Sequence, residues 1–408
     1  MKTVIEDKRL MVCLEERRWA ETLAICVRVP VGSLNERPEE AGITHLIEHL
    51  ALKSTVGLPN QEQRTVLSRL GGAFDGETGV DYLSFFCRVD PKNALEAVKL
   101  LIKMTLEPGL SSPLIETEKK VIRSEIQAHR SNMTSLMYEL IAGTIYPNHA
   151  VSRPVTGTQE NLVNVTEQAV RQYFEREISK SPVIVGFVGN ISLDEVTSCC
   201  NIAFPDRDGH SLYEVASQPC YDTVPVWRAV EQDLKWPVTN TLITFILRAK
   251  AKSDPLYPFV MLFGSIVRNM HGSPLYSTLR GERGDMYTLD VFLTANSLAS
   301  HVAIVMPLCA QTLVLPKDLL TYFQTFFERM TPEYFDSYVS SCSLHLKAAG
   351  ENSLLHAKKL CDDIQYSRDV FSVGAWEERV RGLGLNAFKR FVSEMFEAGV
   401  STIKITNK

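Results

Sequence analysis

The stretch ITHLIEHLALKST, residues 43–55, places His45, Glu48 and His49 within five positions of a segment with helical character. Successive helical residues turn by about 100°, so His45 and His49 lie roughly 40° apart, one turn above the other. Two imidazoles so placed can take neighbouring corners of a zinc tetrahedron. Glu48 points to nearly the same side as His45. A carboxylate there can stand beside a metal without ligating it and take a proton from metal-bound water. At the histidine and glutamate frequencies of this chain, H-x-x-E-H arises by chance in on the order of one such sequence in a hundred. A histidine on an apolar helix face is also, most often, a core residue, so the motif needs support from elsewhere in the chain.

A catalytic zinc takes three protein ligands and keeps a fourth position open. The segment ETEKKVIRSEIQAH, residues 116–129, carries Glu118 and Glu125 seven apart, on one face of a long helix with Ile122 between them. Glu125 follows His49 by 76 residues. Charged residues on a long helix usually form a solvated face, and the residues alone leave both readings open.

The surrounding composition narrows the classes. A chain of 408 residues, 45% hydrophobic and 22% charged, is long enough for two to three globular domains with buried cores. A net charge of −5 without a long Lys/Arg run lacks the footprint of a nucleic-acid binder. Nine cysteines include no C-x-x-C pair, and an odd number cannot all pair within the chain, so reduced, buried thiols are expected. The leading MKTVIEDKRL carries acids where a secretory segment is apolar. No apolar run reaches the roughly 18 residues of a membrane span, so the expected compartment is the cytoplasm with no membrane partner.

Element order suggests an internal repeat. The first half reads as a hairpin over 3–15, a strand over 23–29, helices over 38–53 and 61–70, strands over 73–78 and 82–89, a helix from Pro91, and a long helix from Pro113 to Ile141. A shorter helix over 167–177 then leads into a strand over 182–190. The second half reads as a strand over 240–248, helices over 255–270 and 274–280, strands over 286–293 and 301–306, and helices over 317–330 and 332–349. LSRLGG at 67–72 and YSTLRG at 276–281 each close a helix just before a strand pair. This predicts two copies of one α+β unit, joined near the polar stretch 205–226.

The motif of residues 45–49, Glu125 at its distance and Glu118 seven before it resemble the pitrilysin and insulinase family of inverted-motif zinc peptidases. The likeness is to the short branch that includes mitochondrial processing peptidase. GSLNERPEEAGITHLIEHLALKST (32–55), GTQENLVNVT (157–166) and Gly189-Asn190 are similar to family segments as well. The resemblance implies a zinc endopeptidase binding one Zn2+ per chain through His45, His49 and Glu125. Glu48 would be the general base, and Glu118 would support the ligands. It implies two homologous α/β sandwich-type domains, 1–212 and 213–408, each a mixed, mostly antiparallel sheet covered by helices. Such chains close like a clamshell around a peptide substrate. LRGERGDMY (279–287) supplies Arg280 and Tyr287, similar to the family's donors to the substrate carbonyl. Because one chain carries both sets, a homodimer with composite sites is expected. The alternatives are a heterodimer with a homologous chain, or a non-catalytic assembly subunit of the same fold.

One departure bears on substrate. Where the family has Asn-Ala-x-Thr, this chain reads Asp75-Gly76-Glu77-Thr78. An edge strand there can still pair with an extended peptide through backbone groups, with Asp75, Gly76 and Thr78 as substrate contacts beside Arg280 and Tyr287. Asp75 cannot donate as an asparagine amide does, and its charge favours basic residues in the peptide.

Overall fold

The computed structural model describes residues 2–131, 133–205, 225–268, 284, 288–308 and 316–407. They fall into two units, one drawn from 1–140, 148–224 and 349–370, the other from 141–147, 225–348 and 371–408.

In the first unit the strands are β1 (Lys2–Asp7), β2 (Leu10–Glu16), β3 (Leu23–Val29), β4 (Ala73–Thr78), β5 (Leu83–Val89) and β6 (Val183–Gly189). They form one sheet in the order β1-β2-β6-β3-β5-β4, with β2 and β6 parallel and the other neighbours antiparallel. β3 and β6 are buried along their whole length and read as nearly unbroken apolar runs, as strands covered on both faces do. Leu23, Ile25, Val27, Phe85, Val185 and Phe187 turn to one core. Met11, Cys13, Ala24, Cys26, Phe86, Ile184 and Val188 turn to the other.

The helices α1 (Ile43–Lys53), α2 (Asn60–Leu70), α3 (Ala94–Leu106), α4 (Ser112–Ser131) and α5 (Met133–Ile145) follow in chain order, then α6 (Gln159–Asn164), α7 (Glu167–Tyr173) and α8 (Leu193–Ala203). Residues 112–131 and 133–145 are both helical, over the span where one long helix from Pro113 is expected.

In the second unit β7 (Glu231–Lys235), β8 (Leu242–Ala249), β9 (Asp290–Ala295), β10 (Ser300–Pro307) and β11 (Ser401–Thr406) make a sheet ordered β7-β11-β8-β10-β9. Helices α9 (Tyr257–Arg268), α10 (Pro316–Glu328), α11 (Pro332–Glu351), α12 (Ser353–Ser367) and α13 (Val373–Glu397) complete the chain. Phe259, Phe263, Phe323, Phe327, Phe388 and Phe391 fill this unit's core. Counting strands β2–β6 and β7–β11 from the start of each set, both sheets run first, fifth, second, fourth, third. The repeat expected from element order is therefore present in the strand topology. The short helix expected at 274–280 lies outside the described residues.

One helix of the later sequence does not stay with its neighbours. α12 belongs to the first unit and covers the outer face of its sheet with Ala357, Leu360, Cys361 and Ile364. Gly186 makes this approach possible, since a Cβ there would lie 2.6 Å from the Ala357 carbonyl oxygen. Among the described residues the cysteines are free thiols, most of them buried.

The start of α1 is fixed by two features that its periodicity does not reveal. Gly42 adopts φ +92°, and a Cβ there would meet the Thr156 oxygen at 2.7 Å, so the helix begins at Ile43 rather than at Pro38. The amides of Gly42 and Thr44 then donate to the two oxygens of the buried Glu36 carboxylate, at 2.8 and 2.9 Å. Burial pushes the Glu36 carboxyl from its ordinary 4.5 up to about 7, against these amide bonds. A carboxyl whose folded pKa is raised loses part of its stabilising contribution as pH climbs from its ordinary value to the raised one. Glu36→Ala is accordingly expected to cost about 1–3 kcal/mol, because two buried amides lose their acceptor. The gap from the parent chain should narrow between pH 4.5 and 7, which urea unfolding across that range will measure.

Candidate metal centre

Ile43, Leu46, Ile47, Leu50 and Ala51 turn one face of α1 into the first unit's core. The other face carries His45, Glu48 and His49, and α4 and β4 pack against this helix. His45 and Glu48 are consequently buried, at 8% and 7% exposure. On α4, Ile115, Ile122 and Ile126 point into the core, which turns Glu118 and Glu125 toward α1.

Three donors converge. The Nε2 atoms of His45 and His49 lie 3.8 and 3.4 Å from Oε2 of Glu125, and the ligand atoms of all three residues fall within 4.8 Å of one another. Bonds of about 2.0–2.2 Å to a tetrahedral zinc would place its donors roughly 3.4 Å apart. Two imidazoles and a carboxylate are also a donor set that zinc accepts, so these residues fit the metal on spacing and on chemistry. Glu118, 2% exposed, meets Nδ1 of His49 at 3.2 Å. A proton held on Nδ1 by that carboxylate leaves the Nε2 lone pair free for a metal. Nδ1 of His45 is buried without a hydrogen-bond partner.

The electrostatics of the metal-free cluster follow from burial and from these pairs. Burial and the neighbouring His49 hold His45 below its usual range. His49 is raised: burial lowers it, but the hydrogen bonds to Glu125 and Glu118 outweigh that. Glu125 is lowered, chiefly by its bond to His49. Burial pushes Glu48 up to about 7, opposed by the Thr78 hydroxyl and by His49. A carboxylate poised in this range is suited to taking and returning a proton near neutral pH.

β4 supplies the wall beside Glu48 and lies at the edge of its sheet. The Thr78 hydroxyl donates to Oε2 of Glu48, and a Cβ on Gly76 would lie 2.7 Å from the Glu48 Cγ. The side chain of Thr78 and the bare Cα of Gly76 therefore serve the carboxylate, and the strand's backbone edge is what it can offer a peptide. Asp75 is exposed, its Oδ1 accepts the Gly76 amide, and its charge adds to those raising Glu48. Asp75 and Glu77 alternate with Gly76 and Thr78 and so belong to the opposite face of the sheet. Thr78 as Glu48's partner is not evident from the sequence, where the i, i+2 spacing of Gly76 and Thr78 is the available signal. His129 is a further member of the cluster that no motif marks, its Nε2 3.6 Å from Glu125 Oε1 one turn along α4. Arg280 and Tyr287 lie outside the described residues.

Glu118→Gln keeps the shape of the side chain but removes the charge facing Nδ1 of His49. Losses of this kind typically cost 10–100-fold in metal affinity. A fall of about that size is expected in chelator competition, with the fold intact by circular dichroism.

Comparison with known proteins points the same way. The family described as "Insulinase (Peptidase family M16)" matches residues 11–159, and the domain described as "Peptidase M16 inactive domain" matches residues 164–341. The chain is 28% identical over 181 residues to "Uncharacterized zinc protease YmxG" of Bacillus subtilis, a span of 44% of either chain. It is 23% identical over 241 residues to the human mitochondrial-processing peptidase subunit beta, covering 57% of this chain and 49% of that one. These matches thus span less than half the length of the curated relatives. A protease from Helicobacter pylori shares the fold with a TM-score of 0.85 at 16% identity, over 100% of this chain and 99% of that one. Among the described residues no helix is long and apolar enough to cross a membrane.

Proposed function

The chain belongs to the insulinase family of peptidases, and on that premise we propose that it is a zinc-dependent endopeptidase cutting unfolded or extended peptides. The observation that carries the reading is the convergence of His45, His49 and Glu125, with Glu48 beside them under the Thr78 hydroxyl. His45, His49 and Glu125 would hold the metal, and Glu118 would orient His49. Zinc bound there would polarise the scissile carbonyl and acidify its water. Glu48 would take the proton of the attacking water and return it to the leaving amine, while Thr78 keeps its carboxylate aimed. The free edge of β4 would pair with the peptide backbone and lay the scissile bond across the site. By the family resemblance, Arg280 and Tyr287 would donate to the carbonyl oxygen as negative charge develops on it.

Those two donors would come from a second subunit, which makes a cytoplasmic homodimer with shared sites the working assembly. A heterodimer with a homologous chain is the second reading, favoured by the relatives whose names call them subunits. The retained ligand trio speaks against a purely structural subunit.

The purified chain should bind about one zinc and cleave quenched peptides, with activity lost to a chelator and regained with zinc. No metal and no cleavage across a peptide library would refute the enzyme. Mixing inactive Glu48→Gln and Arg280→Ala subunits should restore part of the activity, because one of the mixed sites then has both halves intact. Subunit exchange without recovery would refute the shared site.

A further inference from the structure

The outer face of β4 is gripped by a helix from the far end of the chain. Lys358 of α12 forms an ion pair with Glu77 of β4, and its ammonium lies over the Phe86 ring, 4.2 Å from the centroid. The Tyr82 hydroxyl also donates to Glu77. Arg28, 1% exposed, lies over the Tyr82 ring at 4.1 Å, donates through Nε to Ser84 Oγ at 2.8 Å, and pairs with Asp362 of α12. At the β4–β5 turn, Gln365 donates to the Asp81 carbonyl and the Tyr366 hydroxyl to its carboxylate, at 2.8 and 2.7 Å. Burial alone would raise the Glu77 carboxyl, but its bonds to Lys358 and Tyr82 hold it below the usual range.

Glu77 and Thr78 are consecutive, so one strand is held from both sides. Thr78 reaches Glu48 on the inner face, and Glu77 reaches Lys358 on the outer face. An edge strand has a partner on one side only, and its position is weakly specified unless side chains fix it. The Lys358–Glu77 pair is partly buried, at 22% and 36% side-chain exposure, so it contributes little net stability, and what it supplies is the position of the strand.

We propose that Lys358 is a positioning residue for catalysis: through Glu77 it fixes β4, and with it both the Thr78 contact to Glu48 and the strand edge offered to the peptide. The effect on turnover rests on the peptidase reading, whereas the effect on β4 rests on geometry alone. The flanking helices α11 and α13 belong to the second unit, so the anchor of β4 is supplied by the segment that leaves that unit and returns to it.

The test uses the full chain as the parent, Lys358→Met, Lys358→Arg and the double variant Lys358→Met/Glu77→Gln. Amide hydrogen exchange is read over residues 73–78, with kcat, KM and zinc content measured alongside. Lys358→Met is expected to speed exchange of the protected amides in 73–78 at least tenfold and to leave α1 within twofold. It should lower kcat/KM tenfold or more at unchanged zinc content. Lys358→Arg should recover most of the loss, and the double variant should lose less than Lys358→Met, having no unpaired carboxylate. Unchanged exchange over 73–78 overturns the proposal. So does faster exchange with parental kcat and KM, which marks a merely structural contact. If no version cleaves any peptide, the peptidase reading fails, and the exchange data still decide whether Lys358 holds β4. Should Lys358→Met not fold, Glu77→Gln breaks the same pair from the other side and is read in the same way.

Discussion

Glu48→Gln is expected to bind zinc as tightly as the parent chain and to cleave an extended peptide about 10²–10⁴-fold more slowly, the range that general-base catalysis contributes. The two side chains are nearly isosteric, so the amide fits against Gly76 and can still accept the Thr78 hydroxyl. It cannot take a proton. The ligand atoms belong to His45, His49 and Glu125, so metal content should not change. The comparison is single-turnover cleavage beside zinc content by atomic absorption. A variant that loses zinc together with activity would show that Glu48 sits on the metal instead of beside it.

His49→Ala is expected to weaken zinc binding at least a hundredfold and to abolish cleavage. His49 is the hub of the cluster, facing Glu125 through Nε2 and Glu118 through Nδ1. Protein zinc sites with four ligands bind with about 10–16 kcal/mol, so losing one ligand costs on the order of 3 kcal/mol, roughly a hundredfold in affinity. Two further effects add to this. Glu118 becomes a buried carboxylate without its partner, and Glu125 loses the bond that chiefly lowers its pKa. Competition with a chelator of known affinity gives the number. Retention of one zinc at parental affinity would remove His49 from the ligand set.

The helical part of the site was legible because a helix converts sequence spacing into direction. A spacing of four from His45 to His49, and of seven from Glu118 to Glu125, settles which side chains share a face before any tertiary contact is known. That the two faces meet is a tertiary fact, which the family resemblance implies and the structure displays. The repeat was legible for a similar reason, since alternation and turn residues mark strands in order even when their pairing is unknown. What could not be read depends on the position of β4 or on chain segments far apart. Thr78 meets Glu48 only because β4 packs beside α1. Glu36 caps α1 only because Gly42 turns the chain back at a left-handed angle. Nothing in SLLHAKKLCDDIQYS distinguishes a helix that packs on its neighbours' unit from one that crosses to the other.

The shared strand order has a consequence for how this protein is made. In each sheet the fifth strand lies between the first and second, so β6 separates β2 from β3, and β11 separates β7 from β8. On the ribosome, the second sheet stays open along its middle until residues 401–406 emerge. The first sheet can close earlier, but Met11, Cys13, Cys26, Phe86 and Ile184 stay bare until residues 353–367 arrive to cover them. Domains usually complete themselves in the order of synthesis. Here the first unit's outer apolar sheet face stays exposed on the nascent chain until residues 353–367, which follow β7–β10 of the second unit in sequence, have been made.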